Sequence, residues 1–170
     1  MIFYHFTELR VFRTAIAFAS GEQGSVRALA ELQRLSRAKM ITRSDLKKIA
    51  RARLRDAEIL SRSRRYEGAM YLCGYAVEIA LKARICQTLS WPGYPSTGGE
   101  FQNYQSFRTH NLDVLLRLSG VEERVKTTLM AEWSAVATWD PEARYKPIGS
   151  ATRQAAELML GSTRILLRAL

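Results

Sequence analysis

The sequence predicts an all-helical protein. Apolar residues recur at three- and four-residue intervals almost throughout the 170 residues, and clear period-two alternation of the strand type is missing. No internal repeat or low-complexity tract interrupts the pattern. The spacing predicts helices over 7–19, 25–38, 44–63, 66–89, 110–119, 121–138 and 150–169.

Each division has its punctuation. Residues 1–39 read as an N-terminal helical extension of unknown role. "TAIAFASG" within it is too short and too closely preceded by Glu8 and Arg10 for a signal peptide. Met40 stands just before a cap-like "TRSD" and has the placement of an internal start, so 40–170 reads as the main domain. Ser44 is expected to cap the helix over 44–63, and Thr109 the helix over 110–119. "WPGYPSTGGE", Trp91 to Glu100, is dense in turn formers and reads as a loop. Asp140-Pro141-Glu142 has the cap-plus-proline signature of a short helical turn, and Gly149-Ser150 precedes the last helix. That helix is expected to bury Ala155, Leu158, Met159, Ile165, Leu166 and Leu170.

Composition bounds the function. A chain of this length can bury about two-thirds of its unfolded surface unaided. No apolar run approaches the roughly 20 residues of a membrane helix, so no membrane partner is expected. Cys73 and Cys86 would lie about 20 Å apart on one helix, too far for a disulfide, which fits a reducing cytoplasm. Two histidines, neither near a cysteine pair, give no metal-ligand spacing, and no metal or cofactor is expected. The formal charge of +10 favours polyanionic partners. Much of it lies between Arg43 and Arg65, where no aromatic residue interleaves before Tyr66, so this run reads as a solvated helix face.

"YEGAMYLCGYAVEIALKARI", Tyr66 to Ile85, carries two opposed stripes on a helical wheel. Ala69, Cys73, Ala76, Ala80 and Ala83 form a line of small residues that admits a close neighbour; Tyr71, Tyr75, Glu78, Lys82 and Ile85 form the other. This is expected to be the central helix. Glu78 and Lys82 are four apart in the favourable order. Arg53 falls on the inward seam of the preceding helix, at nearly the height of Glu78 in an antiparallel hairpin, so the two are expected to meet. Arg53, Glu78 and Lys82 read either as an ion network that satisfies buried charge or as part of a ligand or nucleic-acid site.

"RYEGAMYLCGYAVEIALKARI" and the later "FRTHNLDVLLRLSG" together resemble the HEPN family, the higher eukaryotes and prokaryotes nucleotide-binding domain, over about Thr42 to Leu170. The resemblance implies an up-and-down helical bundle, often a homodimer, with a role around nucleotides or RNA. Many members are encoded beside minimal nucleotidyltransferases. Catalytic members are metal-independent ribonucleases with an arginine, four to six intervening residues and then a histidine. The positions that should hold it before His110 are Asn103, Tyr104 and Gln105; Arg108 is too close and Arg117 lies on the wrong side.

The expectation is therefore a noncatalytic nucleotide- or RNA-binding protein in a toxin–antitoxin-like pair. The alternatives are a ribonuclease using Arg108 and His110 in a non-standard way, and a structural dimerisation module. Arg108 and His110, at a helix start, read as a phosphate-binding corner, or His110 simply caps or packs. Trp133 and Trp139 read as core, and Arg144 and Tyr145, exposed after the turn, as further binding candidates.

Overall fold

A computed structural model of the chain describes residues 40–102 and 104–170. The helices expected over 7–19 and 25–38 lie outside the described residues. Thr42 opens helix α1 (Arg43–Arg62): its hydroxyl accepts from the Asp45 N–H at 3.1 Å and donates to the Asp45 carboxylate at 2.8 Å. The cap is thus Thr42 and not Ser44. Only the side chain at the extended position just before the helix can turn back to the free N–H groups, and Ser44 already lies inside it. Helix α1 buries Leu46, Ala50 and Ala57.

The turn that follows closes with two crossed bonds, Arg65 N–H to the Leu60 carbonyl at 2.9 Å and Arg64 N–H to Ser61 at 3.0 Å. This geometry requires a left-handed residue, and Arg64 takes it at φ 59°. Helix α2 (Tyr66–Thr88) then runs back along α1. The two-residue strands β1 (Ile41–Thr42) and β2 (Gly93–Tyr94) pair antiparallel, tying the start of α1 to the chain just beyond α2. The small-residue stripe of α2 is buried from Ala69 to Ala83, and α1 and the later helices at Leu112–Leu118 and Arg153–Ala169 all pack on this helix, which is central as expected. Both cysteines are free and buried.

Three short helices follow: α3 (Leu112–Leu118), α4 (Glu122–Thr128) and α5 (Met130–Val136). The cap of α3 is Asn111, whose side-chain oxygen accepts from Val114 N–H at 3.0 Å. Thr109 instead accepts from the Asn111 N–H, so His110 precedes the helix and does not occupy its first turn. The single helix expected over 121–138 is broken at Leu129, which leaves helical geometry at φ −135°. Just before the break Thr127 and Thr128 donate back to the carbonyls of Glu123 and Arg124, a local bonding that competes with a continuous ladder.

The proline turn forms as a 3-10 helix (Pro141–Tyr145) opened by Asp140. Thr152 caps the last helix, α6 (Arg153–Ala169). Its buried face is Ala156, Met159, Leu160, Ser162, Thr163 and Leu166; Leu158 and Ile165, expected inside, are exposed. The small hydroxyl residues Ser162 and Thr163 let α6 lie close against α2, which rotates the larger side chains at 158 and 165 out of the interface.

Candidate functional site

Glu78 is 1% exposed on the central helix. A buried carboxylate must be paired or hydrogen-bonded. Its Oε1 receives Lys82 Nζ at 2.5 Å from one turn ahead, and lies 2.9 Å from Nδ1 of His110 in the segment leading to α3. Its Oε2 is buried without a partner among the described residues. The Lys82 ammonium also lies 5.3 Å from the centre of the Tyr94 ring, which holds it over an aromatic face.

The loop after α2 builds the rest. Tyr94 is buried and donates to the Phe107 carbonyl at 2.5 Å, and Trp91 packs on Phe107, so this turn-rich stretch folds into the core instead of standing off it. Glu100 Oε2 gathers the N–H groups of Ser96 and Thr97 at 2.8 and 2.9 Å, closing the loop on itself. Between this loop and the α1–α2 hairpin lies a pocket of about 330 Å³. Glu78 and Lys82 line it from α2, Arg108 and His110 from the segment before α3, and Tyr75, Tyr94 and Phe107 supply aromatic wall. The Tyr75 hydroxyl is held above its ordinary value by burial and then by the negative charge of Glu78, so it stays a neutral donor at the wall.

Four of the residues singled out from the sequence therefore meet: Glu78, Lys82, Arg108 and His110. Arg53 does not join them. Its side chain, 40% exposed, pairs with Asp56 at 3.0 Å on its own helix. Matching height was not enough, because Arg53 turns toward solvent, where it keeps its hydration, and Oε1 of Glu78 is paired from its own helix and from His110. Arg144 and Tyr145 also stand apart. The guanidinium stacks 4.6 Å from the ring centre of Tyr145, itself 70% exposed, and neither lines this pocket.

Arg108 and His110 do not stand at a helix start, since α3 begins at Leu112, although both residues still line the pocket. Sequence reading missed the aromatic wall. Its only signal was the aromatic content of the loop, Trp91, Tyr94, Phe101 and Phe107, which a merely solvated turn would not need. Among the described residues no cluster of His, Cys, Asp or Glu could hold a metal ion, and no helix is long and apolar enough to cross a membrane.

The fold and pocket define an all-helical bundle whose one long buried helix carries a charged pair into a pocket walled by the loop that follows it. Residues 44–97, which span α1, α2 and the first part of that loop, match the family model of the HEPN domain. No curated protein and no solved structure matches the chain.

Proposed function

We propose that residues 40–170 form a noncatalytic HEPN-type domain that binds a nucleotide or a short stretch of RNA in the pocket of Lys82, Arg108 and His110. The observation that carries this reading is the meeting of these three nitrogen-bearing side chains with the ring faces of Tyr75, Tyr94 and Phe107 in one concavity. Guanidinium and imidazole groups suit a phosphate, and aromatic walls suit a base. HEPN domains are often related to nucleotides or RNA, which agrees with it. We further propose that the protein works in the cytoplasm as a homodimer, beside a minimal nucleotidyltransferase in a toxin–antitoxin-like pair. Sedimentation should return twice the 19.3 kDa chain mass.

Fluorescence anisotropy of a labelled single-stranded RNA, with nucleotide as competitor, tests the binding. Arg108→Ala and His110→Ala should each weaken it, Arg108→Ala by about tenfold or more, the worth of a bond to a charged group. Affinity should fall as salt rises. Binding unchanged by both substitutions would refute the proposal.

One observation favours a second reading, a metal-independent ribonuclease. The carboxylate of Glu78 sits on Nδ1 of His110, which leaves Nε2 as the free ring nitrogen of an imidazole held by a third group, an arrangement that general acid–base catalysis uses. Cleavage of RNA in the presence of chelator, lost in a folded His110→Ala protein, would establish this reading in place of the first.

A further inference from the structure

A second concavity, of about 410 Å³, lies where α1 and α6 converge over α2. Its rim carries four cations in two matched pairs: Lys47 and Arg51, four apart on α1, and Arg164 and Arg168, four apart on α6. Like charges at this spacing repel, so each pair costs its helix a little stability. Of the four, Arg164 alone has an acidic partner, Glu58 at 2.6 Å. Lys47, Arg51 and Arg168 form no ion pair among the described residues. The floor is apolar, with Leu54 from α1 and Ala80 from α2.

Cations of one sign around a low-dielectric floor focus a positive field into the cleft and strengthen its pull on an anion. Four-apart side chains have Cβ atoms about 5–6 Å apart, and packed helices lie about 8–10 Å apart, so the four donors frame an area larger than one phosphate. None of these residues lines the pocket of Glu78 and His110.

We infer that this cleft is a separate binding site for a compact polyanion with two or three linked phosphates, as in a nucleoside triphosphate or an inorganic triphosphate. The guanidiniums of Arg51, Arg164 and Arg168 take oxygens of neighbouring phosphates, Lys47 adds a point charge, and Glu58 anchors Arg164. The site is independent of the proposed RNA pocket.

Isothermal titration of the full chain with inorganic triphosphate, in low salt without divalent cations, tests it. Saturable binding at one site per chain is expected, with orthophosphate at least tenfold weaker because it cannot span both helices. The double variant Arg51→Gln, Arg168→Gln should lose at least tenfold in affinity and remain folded by circular dichroism, since neither side chain is in an ion pair among the described residues. Arg62→Gln with Arg117→Gln, cations outside the cleft, should bind as the parent does, and so should Arg108→Ala, which separates this site from the other. ATP binding comparably to inorganic triphosphate would point to a nucleotide as the source, and inorganic triphosphate binding at least tenfold more tightly would point to a free polyphosphate; either outcome supports the site. Absence of saturable heat at millimolar ligand, an equal loss in the control variant, or a cleft variant that loses only RNA affinity would overturn it.

Discussion

At the residue scale the protein turns on Glu78. One carboxylate oxygen is shared by Lys82 and His110, and these partners differ in what they would lose. The Lys82 side chain is 17% exposed and the His110 side chain 63%. Glu78→Ala would leave an ammonium mostly out of water beside a small void, at a cost of about 2–3 kcal/mol. That is below the roughly 3–5 kcal/mol of a wholly buried broken pair, because Lys82 keeps some solvent. His110→Ala should cost no more than about 0.5 kcal/mol, as for other exposed positions. Urea unfolding of the two variants checks the difference, and equal costs would mean that the imidazole and not the ammonium anchors Glu78. The Glu78–Lys82 pair was legible because it lies within one helix turn. His110 as third member was not, since it is 32 residues away and reaches Glu78 only through the path of the loop.

At the element scale, α2 owes its central place to side chains that are nearly absent. A Cβ at Gly74 would stand 2.1 Å from Cγ of Trp139, so the indole lies directly on the helix backbone. Gly74→Ala gains helix propensity but forces a large buried ring to move, and overpacking of this kind costs about 1–3 kcal/mol. Thermal unfolding should show a clear loss; a stabilised variant would mean that Trp139 sits elsewhere. Gly74 was plain in the sequence, whereas the ring that lies on it is 65 positions later, beyond any periodicity. The ends of α1, α2, α3 and α6 were read to within a few residues and the Asp140 cap was read correctly, but the caps of α1 and α3 were not, because Ser44 and Thr109 have the right chemistry two positions from where the chain turns.

At the scale of the whole molecule, Glu67 joins the start of α2 to the segment before α6. Its carboxylate accepts from Gly149 N–H at 2.6 Å and Ala151 N–H at 3.1 Å. These bonds, that of Ala151 foremost, hold the carboxyl below its ordinary value of 4.5. A carboxyl whose pKa is lowered by folding contributes stability above its unfolded value and loses it as pH falls through the folded one. The stability gap between the parent and Glu67→Gln should therefore be full at neutral pH and shrink below about pH 4.5. Denaturant melts at several pH values measure it, and a gap constant down to pH 3 would show that the carboxylate is not tied in solution.

Sequence alone determined the helical class, the α1–α2 hairpin, the buried central helix and the charged pair upon it. These follow from spacings of three, four and seven residues, which geometry converts into faces without reference to the rest of the chain. It set Arg108 and His110 at the start of a helix over 110–119, whereas α3 begins at Leu112 and both precede it. Only the tertiary structure decided what those groups meet. Rotation about a helix axis sent Arg53 to Asp56 and solvent, although its height matched Glu78, and a loop path brought His110 instead. The basic run of α1 reads as a solvated face until α6 sets Arg164 and Arg168 opposite Lys47 and Arg51. A helix wheel fixes which residues share a face, but the field over that face is a sum over neighbours, and the neighbours are chosen by packing.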